Sequence, residues 1–112
     1  MQHYNVLLDD YQDQEDLFYS TRNELYLSNG WLVVRSYEEF TANISGYLRR
    51  GAFPRLVSVS STISTLHISG RENGVECFTE KTGNDCLSWL QEFAARNSLD
   101  MPTVLVHSQS EV

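Results

Sequence analysis

The chain has 112 residues, about the length of one average domain, so it can bury one modest core but not a catalytic domain together with a regulatory one. Hydrophobic residues make up 41% and charged residues 21%, which is ordinary for a globular protein and argues against disorder of the whole chain. The formal net charge of −7 has the wrong sign for a protein that binds the phosphate backbone of nucleic acids.

The distribution of apolar residues excludes a membrane protein of the helical kind. No apolar run approaches the ~20 residues that a spanning helix needs, and the sequence shows no signal-peptide pattern. The two cysteines do not form a disulfide framework, and their spacing matches no zinc site. We therefore expect a soluble, cytoplasmic protein that does not bind membranes.

The first strong pattern is an apolar run at residues 5–8 that leads directly into Asp9 and Asp10. Such a run predicts a buried strand whose carboxyl end emerges at a surface. Five of the eight residues in 9–16 are acidic. The stretch from there to Gly30 shows only scattered helical character, and connections of this length are usually functional or partly folded.

The middle of the chain alternates between strand and helix patterns. Residues 31–35 predict a second strand, and Ser36 begins a capping-box pattern at a helix start. Apolar residues then recur every fourth position over 40–48, which predicts an amphipathic helix. Pro54 is expected to break the chain before a third strand at 55–60.

The last third contains a predicted β-hairpin insertion, a helix and a strand. Apolar residues at 65–68 and 75–78 flank Asn73-Gly74, a dipeptide that favours a tight turn. A helix is predicted from 82 to about 97, and a final strand at 103–106. The whole pattern predicts one domain over residues 1–112, an α/β fold in three layers with a mainly parallel sheet.

In parallel sheets of this kind, ligands bind beyond the carboxyl ends of the strands. The polar residues at those ends form one candidate site, and they are Asp9, Asp10, Arg35, Ser36, Ser60, Ser61, Thr62, His107 and Ser108.

Three kinds of chemistry are represented in that set. Asp9 and Asp10 are a candidate site for Mg²⁺ or Mn²⁺, because hard cations take oxygen ligands; alternatively, the pair only solubilises a loop. His107 is a candidate general acid or base, or a phosphate contact, with a structural role as the alternative. The hydroxyls at positions 60–62 and Ser108 are suited to hydrogen-bonding a phosphate, and no nucleophile elbow, P-loop or dinucleotide fingerprint is present.

Four motifs in order resemble the cyclic-phosphate-processing receiver-like domain family, relatives of the response-regulator receivers with a flavodoxin-like fold. They are Leu8-Asp9-Asp10, the segment 31–39 that begins with Trp31 and contains Arg35-Ser36-Tyr37, the helix start Thr82-Gly83-Asn84-Asp85, and Val106-His107-Ser108. The resemblance spans nearly the whole chain. It implies a metal-assisted phosphoesterase in which Asp9 and Asp10 hold the metal and His107 with Ser108 acts on a cyclic phosphate.

The third strand departs from the family pattern. Where the family usually has an acid-His-acid triplet, this chain has Ser60, Ser61 and Thr62. Neutral hydroxyls do not offset the desolvation of a divalent cation, and loss of a general acid or base typically costs 10²–10⁴-fold in rate. We therefore expect weak metal binding, impaired catalysis and a retained pocket in which these three residues contact the phosphate of a small phosphorylated or cyclic-nucleotide ligand.

Three functions remain open at this point. The first is an active hydrolase, a metal-dependent phosphoesterase for cyclic phosphates. The second is a binding module with a degenerate active site. The third is a protein-interaction module that presents its acidic 9–16 stretch and the insertion that follows it to a protein partner and binds no ligand.

Overall fold

The structure is a computed structural model that describes residues 1–10, 12–28, 30–61 and 64–107, with the backbone alone for 64–72 and 76–80. The strands of this part of the chain are β1 Gln2–Leu8, β2 Trp31–Val34, β3 Ala52–Ser60, β4 Ser64–Glu72, β5 Val75–Thr82 and β6 Thr103–His107. The α-helices are α1 Gln14–Thr21, α2 Tyr37–Arg49 and α3 Gly83–Arg96, and a short 3₁₀ helix covers Glu24–Leu27.

Four strands form a parallel sheet in the order β2-β1-β3-β6. The chain passes from β1 outward to β2 and then crosses back over β1 to β3, so the direction of winding reverses between β1 and β3. A sheet wound in this way opens a crevice at the carboxyl ends of these two central strands. The predicted α/β fold with a mainly parallel sheet is confirmed.

Helices cover both faces of the sheet, because successive side chains of a buried strand point to opposite sides. On one face, apolar side chains of the central strands pack against α2 and α3, in a cluster that includes Val6, Leu8, Val57, Val59, Phe40, Ile44 and Leu90. On the other face, Leu7 packs against Leu17 of α1 and Tyr26 of the 3₁₀ helix. The polar side chains of the candidate site project on this second face.

Strand β3 begins earlier than the sequence predicted. Pro54 lies inside the strand, and the register shifts at this point, with Tyr4 opposite Pro54 and Asn5 opposite Leu56. Arg55 is therefore an extra residue, as in a β-bulge, where a proline without an amide hydrogen is tolerated. Pairing with β6 starts only at Leu56, so β3 is locally an edge strand where Pro54 lies.

Strands β4 and β5, which follow β3 and precede α3 in the chain, form a separate two-stranded antiparallel sheet. They meet at Asn73 and Gly74, both of which have positive φ angles, as the sequence suggested for a tight turn. The interpretation of this pair as an insertion into a receiver-like domain stays a prediction. Within the described ranges, no helix is long and apolar enough to cross a membrane.

Candidate functional site at the carboxyl edge of the sheet

Asp9 and His107 meet at the carboxyl edge of the sheet. Asp9 directly follows β1, and His107 is the last residue of β6. Their side chains join across β3, with 2.9 Å between Asp9 Oδ2 and His107 Nε2. Both residues are buried, and Asp9 has no exposed surface at all. The structure thus brings together two strand ends that are 98 positions apart in the chain.

The imidazole of His107 is held in its neutral form. Burial lowers the pKa of His107 below its ordinary value of 6.5, and the hydrogen bond and negative charge of Asp9, which raise it, do not offset the burial. A neutral imidazole carries one proton, and only Nε2–H gives the Asp9 carboxylate a donor. His107 therefore donates through Nε2 and accepts through Nδ1.

A buried chain of hydroxyls continues from the other imidazole nitrogen. Ser58 Oγ lies 2.8 Å from His107 Nδ1, and Tyr26 Oη lies 2.7 Å from Ser58 Oγ. Because His107 Nδ1 accepts, the network assigns Ser58 as its donor and Tyr26 as the donor to Ser58. Burial raises the pKa of Tyr26 above 10.0, so the phenol keeps the proton that this chain requires. The resulting relay runs from Tyr26 to Asp9.

Gln12 closes the relay at its acidic end. Its backbone N–H donates to Asp9 Oδ1 at 2.9 Å, and its side-chain Nε2 donates to Asp9 Oδ2 at 3.2 Å. Arg35 holds the same loop, since its Nη1 donates to the Gln12 carbonyl at 2.6 Å and to the Asp9 carbonyl at 3.3 Å. Gln12 is buried, and its Oε1 has no hydrogen-bond partner in the part of the chain that the structure describes.

The carboxylate of Asp9 already accepts three hydrogen bonds. One comes from His107 and two come from Gln12, so a divalent cation would compete with these donors for the carboxylate oxygens. Asp10 is exposed. Among the described side chains, no group of three or more His, Cys, Asp or Glu residues comes together at metal-binding distance.

A small cavity lies beside this buried cluster, between the end of β3 and the start of α3. It has a volume of about 110 Å³, and its lining includes Ser60, Ser61, Gly83 and Asn84. The amides of a helix's first turn have no acceptor inside the helix, so they favour an anion. The cavity therefore places the exposed Ser61 beside the positive end of a helix dipole.

One negative charge lies close to that helix start. The carboxylate of Asp85 accepts from Thr82 N at 2.7 Å and from Thr82 Oγ1 at 3.1 Å. These hydrogen bonds, the backbone one first, hold the pKa of Asp85 below its ordinary value, so the side chain is ionised at neutral pH. Asp85 opposes part of the helix dipole and weakens the attraction of this cavity for an anion.

The predicted site residues do not all come together. Arg35 donates to the carbonyls of Gln12 and Asp9, and Ser36 is the N-cap of α2. Asp9 and His107 are in contact. Ser60 is buried and pairs in register with His107. Asp10 and Ser61 are exposed, and the Ser61 N–H donates to the His107 carbonyl at 2.7 Å. Thr62 and Ser108 lie outside the described residues. The sequence reasoning missed Gln12, Tyr26 and Ser58.

The missed residues differ in how visible they were in the sequence. Ser58 precedes Ser60 by two positions, and this strand spacing places both side chains on one face. Gln12 follows the acidic pair but has no recognisable spacing to His107. Tyr26 lies in a segment without helical periodicity, so nothing local indicated that it is buried.

Comparison of the chain with models of known protein families, with curated proteins and with solved structures finds no match.

Proposed function

We propose that the chain is a receiver-like domain that binds a small phosphorylated ligand, such as a cyclic nucleotide, and hydrolyses it poorly or not at all. The observation that carries the proposal is the buried hydrogen bond between Asp9 and His107. These two side chains are the best candidates for a general acid or base, and they hydrogen-bond each other. Ser61 and the first residues of α3, Gly83 and Asn84, line the neighbouring cavity and are the candidates for binding. The proposal includes a cytoplasmic location, because phosphorylated ligands do not cross membranes unaided.

The size of the cavity limits how much of a ligand it encloses. A water molecule takes about 30 Å³ of liquid, so 110 Å³ corresponds to about three or four waters. This volume suits one phosphoryl group, whereas pockets for whole drug-sized ligands measure roughly 300–1,000 Å³. The nucleoside part of a ligand would therefore lie outside, and we expect weak affinity.

Poor catalysis follows from the state of His107. Hydrolysis of a phosphate ester requires a positioned group that moves a proton. Both nitrogens of His107 already hold hydrogen bonds, one to Asp9 and one to Ser58, and the side chain is 1% exposed. A general base that is enclosed in this way cannot reach an attacking water.

Weak binding of Mg²⁺ or Mn²⁺ near Asp9 and Asp10 belongs to the same proposal. A bound divalent cation would neutralise charge on the phosphate. Its affinity is limited because the cation would compete with the donors from Gln12 and His107 for the Asp9 carboxylate. Asp10, the neighbouring acidic residue, is exposed to solvent.

Isothermal calorimetry tests the binding half of the proposal. Wild-type protein is titrated with inorganic phosphate and with 2′,3′-cyclic AMP, in the presence and absence of Mg²⁺. We expect weak binding, and Ser61→Ala should weaken it about tenfold, since a hydrogen bond to a charged group contributes about 1.5 kcal/mol or more. Gln91→Ala, on the exposed side of α3, is the matched control and should bind like wild type. Absence of binding, or equal effects of both variants, would contradict the proposal.

The second candidate function is a protein-interaction module, and the α1 region favours it. The carboxylates of Asp13, Glu15 and Asp16 are exposed there. Large apolar side chains of the same region, Tyr19 and Leu27, are 68% and 58% exposed. Charge reversal of Glu15 and Asp16 to lysine should abolish capture of a basic partner and leave phosphate binding unchanged; loss of phosphate binding in that variant would argue against two separate surfaces.

A further inference from the structure

A second and larger cavity lies at the opposite, amino-terminal edge of the sheet. Its volume is about 350 Å³, and its lining includes His3, Tyr4, Gly30, Trp31, Leu32 and Tyr47. This volume is within the range of small-molecule pockets, roughly 300–1,000 Å³. The cavity shares no lining residue with the one at the carboxyl edge. It is a separate candidate site.

The lining points to a neutral, planar ligand. Among the described residues that line the cavity, none carries a carboxylate, an ammonium or a guanidinium group. A charged ligand would lose its hydration there without gaining a counter-charge. Two of the lining residues, Tyr4 and Tyr47, have aromatic rings that contact each other, and a flat ring packs well against such a wall.

One polar group in this lining lacks a partner. The hydroxyl of Tyr4 is buried and has no hydrogen-bond partner in the described part of the chain. Burial, with the neighbouring Tyr47, raises the pKa of Tyr4 well above its ordinary value, so the hydroxyl is a donor at every physiological pH. A buried donor without an acceptor costs about 1–3 kcal/mol, which a ligand acceptor would recover.

The Tyr4 hydroxyl is buried in this structure, so a ligand reaches it only if a neighbouring side chain moves, and we expect that side chain to be Tyr47. The two tyrosine rings contact each other edge to face, with 4.9 Å between centroids. Tyr47 is only half-buried on α2, and rotamer changes of such side chains accompany many binding events. Beside them, Gly30 has no side chain and a φ angle of +87°, and nothing lies within 4 Å of where a Cβ would be. The cavity has room for a ring once Tyr47 turns aside.

We propose that this cavity binds a small, neutral, planar aromatic molecule whose carbonyl oxygen or ring nitrogen accepts a hydrogen bond from Tyr4. The acceptor distinguishes this ligand class from plain hydrocarbons. The lack of an ammonium or guanidinium group among the lining residues distinguishes it from carboxylates and phosphates. The site is independent of the phosphate-binding function proposed for the carboxyl edge.

Three probes of matched shape test the proposal by amide chemical-shift mapping of the wild-type protein. Benzamide carries a carbonyl acceptor and no charge, benzoate adds a negative charge, and toluene lacks the acceptor. We expect benzamide to shift the amides of residues 2–4, 30–32 and 47, to bind more tightly than toluene, and to bind far more tightly than benzoate. Equal affinity for all three probes, or shifts confined to other residues, would overturn the proposal.

The Tyr4→Phe variant isolates the hydroxyl. The substitution should weaken the binding of benzamide about fivefold, as expected for the loss of one neutral hydrogen bond, and leave the affinity for toluene unchanged. Tyr19→Phe removes a hydroxyl from an exposed tyrosine and is the matched control, with no expected effect on either probe. If Tyr4→Phe changed the affinities for benzamide and toluene by the same factor, the hydroxyl would have no part in recognition and the proposal would fail.

Discussion

Ser58 is the middle link of the buried chain between Tyr26 and His107. In Ser58→Ala, the phenol of Tyr26 and His107 Nδ1 both lose that partner inside the protein. We expect the free energy of unfolding to fall by about 1–3 kcal/mol, the usual cost of leaving a buried polar group unpaired. Urea denaturation measures this change directly.

Ser61→Ala is the control for that substitution. Ser61 is exposed and belongs to the same strand end, so removal of its hydroxyl should change stability by no more than about 0.5 kcal/mol. A Ser58→Ala protein as stable as Ser61→Ala would show that the relay contributes nothing.

The neutral state of His107 makes stability depend on pH. In the folded protein the pKa of His107 is below its ordinary value of 6.5, so the unfolded chain binds more protons as the pH falls through that region. The contribution of His107 to the free energy of unfolding is therefore fully present above pH 6.5 and is lost as the pH drops toward the folded-state pKa. Denaturation at a series of pH values that starts above 6.5 and continues below it measures the slope.

His107→Gln provides the comparison. The variant cannot titrate at this position, so its stability should depend less on pH in the same window, whatever its absolute stability is. Identical slopes for the two proteins would mean that His107 does not change its pKa on folding.

At the scale of elements, the start of α3 depends on Thr82. Thr82 Oγ1 accepts from Asp85 N, and the Asp85 carboxylate returns hydrogen bonds to Thr82, which makes a complete capping box. Thr82→Ala should destabilise the protein by about 0.5–2 kcal/mol in thermal or urea denaturation. Gln91→Ala, on the exposed side of the same helix, should have almost no effect; equal losses in both variants would contradict the role of the cap.

The elements differ in how far the sequence predicted them. The buried strands and the two amphipathic helices follow from apolar periodicity, because burial on one or both faces sets that pattern. Helix α1 was missed: its apolar residues mark no continuous face, and its ends are set instead by the Asp13 and Asp16 capping box. The start of β3 was misplaced because a bulge at Arg55, absent from any periodic pattern, accommodates Pro54.

The candidate site shows the same division. Asp9 and His107 could be predicted as neighbours, because both follow apolar strands whose carboxyl ends lie at one edge. The buried hydrogen-bond network around them could not be predicted, because it depends on Gln12 from the following loop and on Tyr26 from the 3₁₀ helix. The contacts of those two side chains are set by tertiary packing and leave no local mark in the sequence.

At the scale of the whole molecule, the sheet separates two cavities. The smaller one at the carboxyl edge lies between Ser61 and the start of α3, whereas the larger one at the amino edge is lined by residues that include Tyr4 and Tyr47 and has no carboxylate, ammonium or guanidinium group. The net charge of −7 repels anions over the whole surface, so any phosphate affinity must arise locally. Raising the salt concentration should therefore strengthen or preserve weak phosphate binding to the protein, in contrast to a basic phosphate binder.

The central claim is that the carboxyl edge binds a cyclic phosphate without efficient hydrolysis. A phosphorus NMR time course of 2′,3′-cyclic AMP mixed with the protein and Mg²⁺ tests both halves in one measurement. We expect the cyclic phosphate signal to shift with increasing protein concentration, while the monoester signal grows very slowly or not at all. Rapid conversion to the monoester, at ordinary enzymatic rates of roughly 1–10³ per second, or a signal that protein does not shift, would contradict the account.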